Sequence, residues 1–539
     1  MLESPPLVEI IIIILAGLIL SNWLAERFKL VGPLVLIMVG AIVSLIPQFP
    51  RIEIISPELV LSIFLPILLY WEALNISVRG IKRAFRGVLI SGTLMVIFVA
   101  VAVGIVGQFV GLSLGAALLI GAAIGPTDAT AVTSLGKGIA KGQMVVLRAE
   151  SLINDGTALV VFALALEYAG EHQEITVPHA LTAFLISFGG GTVIGLAGGW
   201  VLARLSGHVK NPMIANLWWL LTPFIMYFLA ELIEASGVLA VVVCGLYMAQ
   251  AGPRFQTTGS RFLARPFWGI TTYILNSLLF FLMGCILPYV VHNLSSDTLQ
   301  HALWATLILY VVILAARFVF TELTIRSIRL LDRRPQQRLR RTTFADRLVS
   351  NLAGFRGGIS LAVALSIPAA LAEGEPFPYR DVIIFITSGI VILSLVVQGS
   401  LLPLAVRWQQ ANPNVNREGP DAQNREIRGA TLDSMRNIYE NFDALVVESG
   451  VSPSVAERMK ADWKSQRKKW VNASAVGIED KILEEREEVK KLRLAIIRQT
   501  RENMIRYRDE GKIDDEALIY LLEQTDLDEI RITGPIEME

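Results

Sequence analysis

Long apolar stretches are the feature that most constrains the fold of this chain. Many segments of roughly 18 or more residues carry almost no charge. A helix needs about this length to cross the hydrocarbon core of a bilayer. The chain has 539 residues and is 53% hydrophobic, which is too apolar for a water-soluble protein of this size. The sequence therefore predicts an all-α polytopic membrane protein, because a lipid-exposed backbone must satisfy its hydrogen bonds internally.

About thirteen candidate spans can be placed along the chain. They cover residues 7–26, 31–48, 57–76, 87–111, 114–135, 144–168, 179–205, 213–233, 236–251, 266–291, 299–325, 347–371 and 381–406. Alternate loops are rich in Lys and Arg, as in Arg79 to Arg86 and Arg326 to Arg347, whereas the other loops carry only Arg51 and Arg380. Because basic loops stay in the cytoplasm, we expect a cell-membrane protein with its N-terminus outside and its C-terminus in the cytoplasm. We also expect the first span to remain as a helix, since it lacks the basic start and cleavage site of a signal peptide.

The balance of charge changes after residue 407. Residues 1–407 hold 27 Lys and Arg against 21 Asp and Glu, and residues 408–539 hold 21 against 27. The first range is predicted to be the transmembrane domain, and the second a cytoplasmic, mainly helical tail. Pairs such as Glu487 and Lys491, four residues apart, support solvated helices there. The tail is either a regulatory segment or a simple helical appendage, and the pattern favours the appendage.

A polar run from Glu150 to Asp155 lies inside the sixth apolar span. Its two carboxylates are five residues apart, and a third acid, Asp128, lies in the preceding span beside Pro126. An ionisable residue inside a membrane is costly and usually handles ions or protons. Three acids with few buried bases indicate a site for a cation, a proton, or each in turn.

The fifth and twelfth spans contain residues that interrupt helices. These are Gly121, Gly125 and Pro126 in the fifth, and Gly354, Gly357, Gly358 and Pro368 in the twelfth. Glycine and proline breaks at membrane depth are tolerated where the backbone lines a cavity or is buried in protein. The breaks fall in corresponding positions if spans 1–6 and 8–13 are two inverted repeats, and such paired breaks are typical of a transporter site. The simpler alternative is that the glycines only permit close helix packing.

The polar residues around these breaks suit a monovalent cation. Ser151 and Asp155 are four residues apart and share one helix face. Their oxygens, together with Thr127, Asp128 and freed carbonyl groups, are expected to form a shell for Na⁺. Because an apolar cavity disfavours the charged form of a carboxylate, protons and cations compete for the same oxygens, and such competition is sufficient for exchange.

Three further charged residues accompany this candidate site. Arg317 and Arg356 are the basic residues that lie well inside spans, and an arginine there needs a carboxylate partner because it stays protonated. We expect Arg356 to pair with Glu150. This pair is expected to be a structural cross-link between the repeats rather than a participant in transport. Glu72 ends the third span near a basic loop, so it is either an interfacial acid or part of the rim of an ion path.

These motifs together resemble the cation/proton antiporter family 1, and within it the NhaP-type sodium/proton antiporters of bacteria and archaea. The resemblance covers residues 1–407 and rests on Pro126-Thr127-Asp128, on Glu150-Ser151 with Asn154-Asp155, and on Phe355-Arg356-Gly357-Gly358-Ile359-Ser360. It implies a homodimer with dimerisation helices and a mobile six-helix core that moves like an elevator. It also implies exchange of Na⁺ or Li⁺ for H⁺ by alternating access, without a cofactor or an enzymatic reaction.

The resemblance also implies roles for the site residues. Ion and proton bind at Asp155, and the Asn154–Asp155 pair is associated with electroneutral one-for-one exchange. Thr127, Asp128 and Ser151 contribute to the site, and Glu72 approaches it. Glu150 and Arg356 hold Asn154 in place. One departure affects the expected backbone geometry, because many relatives have proline after the aspartate of helix five, whereas this chain has Ala129 and Thr130.

The sequence is compatible with three alternative functions. A K⁺/H⁺ antiporter would have the same architecture, since selectivity depends on small differences in cavity size. A cation channel is less favoured because the chain has no repeated filter loop rich in carbonyl groups. An intramembrane aspartyl protease is less favoured because the Gly-x-Gly-Asp pattern is absent. The expected partners are Na⁺, Li⁺ or K⁺, protons, membrane lipid and a second copy of the chain, with an unidentified ligand for the tail and no nucleic acid.

Overall fold

The computed structural model describes the chain as a set of helices. It covers residues 7–46, 60–76, 78–128, 132, 138–171, 177–331, 342–371, 375–411, 433–434, 436–472, 479–510, 512 and 515–533. Within these ranges the only β pairing is a single bridge between Ala370 and Pro376. The predicted all-α class is therefore confirmed. The chain divides into two compact units, Met1–Arg417 and Glu418–Glu539.

The first unit contains fifteen α-helices among the described residues, here numbered in chain order. They are α1 Leu7–Phe28, α2 Gly32–Ser44, α3 Leu65–Asn75, α4 Val78–Phe109, α5 Leu114–Ala123, α6 Lys141–Glu171, α7 Val177–Ser206, α8 Pro212–Glu231, α9 Gly237–Phe255, α10 Thr258–Asn293, α11 Ser296–Leu331, α12 Phe344–Leu352, α13 Gly358–Leu365, α14 Arg380–Leu393 and α15 Gly399–Ala411. One π-helical turn, Val60–Phe64, precedes α3, and another, Ser394–Gln398, joins α14 to α15.

Many of these helices are suited to a bilayer. Eight segments of the described chain are long and apolar enough to cross a membrane, and four shorter helices are also apolar. The exposed faces carry large apolar side chains, such as Leu185 and Trp200 on α7, which is the surface that lipid requires. The chain is therefore a multi-pass membrane protein, while the count of thirteen spans and their relation as inverted repeats stay predictions.

Two helical paths are broken at the residues that the sequence singled out. Helix α5 ends at Ala123, and the backbone from Ile124 to Asp128 is not helical. Residues 353–357 likewise separate α12 from α13. The two breaks are joined directly, because the Asp128 amide donates to the Phe355 carbonyl over 2.8 Å. The backbone groups that each helix leaves unpaired thus find partners in the other break.

Close backbone contact between α2 and α10 depends on two glycines. A Cβ atom at Gly284 would overlap the carbonyl oxygen of Ile37, and one at Gly40 would overlap the carbonyl oxygen of Phe281. Small residues at such positions let membrane helices approach closely, and dispersion between the two backbones then holds them together.

The second unit consists of charged helices. They are α16 Phe442–Ser449, α17 Pro453–Asn472, α18 Glu479–Asp509 and α19 Asp515–Thr533. Helices α18 and α19 are joined by ion pairs from Arg501 to Asp526 and Glu529. Lys460 of α17 pairs with Asp443 of α16 at 2.8 Å. These contacts make the unit a helical assembly of its own.

Replacing Gly284 by alanine is expected to destabilise the membrane unit. The added methyl group must push α10 from α2, and overpacking of this kind costs about 1–3 kcal/mol. Gly189→Ala on α7 is the matched control, because a Cβ there has nothing within 4 Å. We expect thermal unfolding of the purified protein in detergent to show a lower Tm for Gly284→Ala and an unchanged or higher Tm for Gly189→Ala. Equal midpoints for the two variants would contradict this account of the contact.

Candidate functional site

Helix α6 is bonded directly to the break after α5. The Ser151 hydroxyl donates to the carbonyl of Thr127. The Asn154 side chain, fully buried, meets the Thr127 hydroxyl at 3.1 Å. Two polar residues one turn apart on α6 therefore hold the irregular backbone that leads to Asp128. The structure thus brings Ser151 and Asn154 against Thr127, the residue before Asp128.

The hydrogen bonds of Asn154 assign its amide orientation. With its oxygen accepting from Thr127, its nitrogen donates to the carbonyls of Gly92 at 3.1 Å and Glu150 at 3.2 Å. The resemblance implied that Glu150 and Arg356 hold Asn154 in place; Glu150 contributes a backbone carbonyl, and the other two bonds are made with the Gly92 carbonyl and the Thr127 hydroxyl. The contribution of Gly92 was missed by sequence analysis. A Cβ atom there would lie 2.6 Å from the side chain of Ile153, so the absence of a side chain lets α4 approach α6.

Asp155 lies one residue further and is fully buried. Among the described residues, neither of its carboxylate oxygens has a hydrogen-bond partner. The charged groups that act most strongly on it are two other acids, Glu72 and Asp128. A buried carboxylate is normally satisfied by donors or a counter-charge, so Asp155 has lone pairs ready for a proton or a cation.

Glu72 of α3 belongs to the same neighbourhood. Its Oε1 atom is buried and has no hydrogen-bond partner among the described residues. The charges of Asp128 and Arg148 both act on it. Glu72 is thus electrostatically linked to the acids of the candidate site, while its role in an ion path stays a prediction.

Asp128 is placed by both breaks. Its amide is held by the Phe355 carbonyl, and a Cβ atom at Gly357 would overlap its carboxylate. Gly357 immediately precedes α13, so the carboxylate lies at the N-terminal end of that helix, where the helix dipole favours negative charge. Only glycine at position 357 leaves room for this approach.

Of the two arginines inside the spans, Arg317 has the carboxylate partner that such a residue needs, whereas Arg356 has partners other than the one predicted. Arg317 of α11 forms the ion pair with Glu150, with 2.8 Å between Nη2 and Oε1. Arg356 instead donates through Nη1 to the carbonyls of Gly125 at 3.0 Å and Pro126 at 2.9 Å. The predicted Glu150–Arg356 pair is therefore wrong. The physical reason is that α5 ends there with unpaired carbonyl groups, which attract a cation to the C-terminal end of a helix.

The arrangement does not resemble a metal cage. No group of three or more His, Cys, Asp or Glu side chains within the described ranges could hold a metal ion. Any cation at Asp155 would thus share one carboxylate with neutral oxygens, such as those of Thr127 and Ser151. Ala129 and Thr130, where the sequence departs from many relatives, lie outside the described residues.

A buried acid with free oxygens, beside two helices broken at membrane depth, defines a class of proteins that move small cations across membranes. Comparison with known proteins gives the family. The sequence profile of the transmembrane sodium/hydrogen exchangers matches residues 10–408, so the chain belongs to the sodium/hydrogen exchanger family. It is accordingly a transporter of the sodium/proton antiporter class and not an enzyme.

Individual relatives agree with this assignment. The chain is 32% identical over 532 residues to an uncharacterized Na⁺/H⁺ exchanger of Mycobacterium tuberculosis, covering 98% of this chain and 97% of that protein. It is 30% identical over 415 residues to the Na⁺/H⁺ antiporter ApNhaP of Aphanothece halophytica, covering 76% and 74%. The structure of the sodium proton antiporter MjNhaP1 from Methanocaldococcus jannaschii matches 74% of this chain and 98% of its own, with a TM-score of 0.57 and 20% identity. That last match shows a shared fold.

Removing Arg317 is expected to destabilise the protein through its partner. Arg317→Met would leave the carboxylate of Glu150 buried and unpaired, which costs roughly 3–5 kcal/mol. The double variant Arg317→Met with Glu150→Gln removes both charges, so it should recover most of the lost Tm. Arg436→Met is the control, because its pair with Glu440 is exposed and contributes about 0–1 kcal/mol. A double variant no more stable than Arg317→Met would show that the ion pair does not account for the loss.

Proposed function

We propose that the chain exchanges Na⁺, or Li⁺, for H⁺ by alternating access, with both ions competing at Asp155. The observation that carries this proposal is the Asp155 carboxylate, which is fully buried with neither oxygen bonded by the described residues. An empty, charged carboxylate in an apolar interior is unstable. Occupation by either a proton or a cation relieves that cost, so the site crosses the membrane loaded.

Neighbouring residues support a small monovalent cation as the second substrate. Ser151 lies one turn before Asp155 on α6, and its hydroxyl is bonded to the carbonyl of Thr127 in the break. Asp128 and Glu72 act electrostatically on Asp155, while no group of three or more acids, His or Cys among the described residues forms a cage for a divalent ion. Hard oxygen ligands of this kind suit Na⁺.

An electroneutral, one-for-one exchange is the stoichiometry that fits this site. Asn154 precedes Asp155, and its amide carries no charge at any physiological pH. It is fully occupied by Gly92, Glu150 and Thr127. Asp155, whose two carboxylate oxygens are both unbonded by the described residues, then trades one proton for one monovalent cation.

Movement and assembly follow the same proposal. The joined breaks form a rigid centre, because Asp128 bonds to Phe355 and Arg356 bonds to Gly125. We infer that the helices around this centre move together, like an elevator, against helices that hold a homodimer. The protein would lie in the cell membrane with its N-terminus outside, its transmembrane domain over residues 1–407 and its helical tail, residues 408–539, in the cytoplasm. The tail is proposed as a solvated helical appendage, and a regulatory segment with its own ligand is the alternative.

Replacing Asp155 by asparagine is expected to abolish exchange. The change keeps the shape of the side chain but removes the titrating group. The measurement is the pH inside proteoliposomes that contain the full chain, recorded while Na⁺, Li⁺ and K⁺ are added in turn. We expect Na⁺ and Li⁺ to move protons in the wild type, with no response above that of empty liposomes for Asp155→Asn.

Asp297→Asn is the matched control, because Asp297 lies exposed in the first turn of α11 and should leave exchange unchanged. Clamping the membrane potential should not alter the wild-type rate if exchange is electroneutral. Sustained exchange by Asp155→Asn would overturn the assignment of the site. A response to K⁺ alone would make the chain a K⁺/H⁺ antiporter of the same architecture.

A further inference from the structure

A small cavity lies beside Arg356. It is lined by α11, by the break between α12 and α13, and by α14 with its following π-helical turn, and its volume is about 10 Å³. That volume has room for one small ion or one water molecule. The polar lining comes from Tyr310, Arg317, Arg356 and Gln398, and the remaining walls are mainly apolar.

Hydrogen-bond donors without partners face this cavity. Arg317 is 3% exposed, and its Nε and Nη1 atoms have no partner among the described residues. The hydroxyl of Tyr310, also buried, is equally without a partner in the described chain. The side-chain carbonyl oxygen of Gln398 accepts one hydrogen bond, from the Ser394 hydroxyl over 2.7 Å, so only its second lone pair is left. The cavity therefore offers donors and few free acceptors.

The charges around the cavity are unequal. Two buried guanidinium groups, those of Arg317 and Arg356, face it. One carboxylate, that of Glu150, lies next to them and is bonded to Nη2 of Arg317. Arg356 is met by backbone carbonyls rather than by an acid. An excess of positive charge inside a membrane is costly unless a negative charge accompanies it.

We propose that this cavity binds a monatomic anion, a halide such as chloride. A halide accepts hydrogen bonds from several donors at once and offers none, which matches Arg317 and Tyr310. It also neutralises the excess guanidinium charge. A water molecule would need acceptors for its own protons, and a larger anion would meet the apolar walls formed by Ile313, Leu314 and Ile390.

The anion would act on the break beside the cation site. Arg356 connects the cavity to the carbonyls of Gly125 and Pro126, which lead directly to Thr127. A bound halide adds a further contact to the guanidinium of Arg356, which the carbonyls already hold. Halide binding is separate from the transport chemistry at Asp155, so it can be tested whether or not the chain exchanges Na⁺.

The test is thermal unfolding of the purified full-length protein in sodium chloride, sodium bromide or sodium gluconate, at equal Na⁺ concentration and pH. Gluconate is too large for the cavity. We expect chloride and bromide to raise Tm by on the order of a few degrees, with a saturable dependence on halide concentration, because a ligand that binds only the folded state stabilises it. Equal Tm values in chloride and gluconate would overturn the proposal and would indicate that the cavity holds water instead of a halide.

Two variants separate a specific site from a general effect of salt. Tyr310→Phe removes one donor and should weaken the apparent halide affinity by about tenfold, while Tyr289→Phe, on a half-exposed side chain outside the cavity, should not. Leu314→Phe adds volume toward the cavity and should abolish the halide-dependent shift. A chloride effect that remains unchanged in both Tyr310→Phe and Leu314→Phe would be a general effect of the salt and would contradict the site.

Discussion

A carboxylate placed in an apolar interior without a hydrogen-bond donor is the constraint on which the remainder of the site depends. Asp155 is fully buried, and two further acids, Glu72 and Asp128, act electrostatically on it. No hydrogen-bond donor among the described residues stabilises its ionised side chain. The helix must therefore be held by other bonds, and α6 obtains them from Ser151, one turn earlier, and from the adjacent Asn154, which both bind the break after α5. These bonds fix the position of Asp155, while no described residue bonds its carboxylate oxygens.

The backbone groups at the broken helices also need partners inside the protein. Ending α5 at membrane depth leaves carbonyl groups that water cannot reach, and Arg356 binds two of them. Starting α13 at Gly358 presents its positive end to the carboxylate of Asp128. Each helix end thus faces a charge of the opposite sign, which the helix dipole favours. The breaks are in this way a source of electrostatic support for the site rather than a weakness in the fold.

The sequence predicted the position of the breaks and the cluster of acids because both have strong local signals. Gly125 and Pro126 cannot continue a helix well, and Glu150 to Asp155 are polar in an apolar span. The partner of Glu150 could not be read in this way. Arg317 and Arg356 are both membrane arginines, separated from Glu150 by long stretches of chain, and only the packing of α11 decides between them. Nothing in the sequence around Gly92 indicates its role. It brings a backbone carbonyl within reach of Asn154, and only its small size makes that possible.

Proton release on binding of Na⁺ is the measurement that tests the central claim most directly. Calorimetric titration of the purified protein with Na⁺, in two buffers of different ionisation enthalpy, gives the number of protons released for each cation bound. Competition at one carboxylate predicts that one proton leaves for each Na⁺ at a pH where Asp155 is protonated, and that Na⁺ binding weakens as the pH falls. Binding of Na⁺ with no proton released at any pH, or with the same release after Asp155 is changed to asparagine, would contradict it.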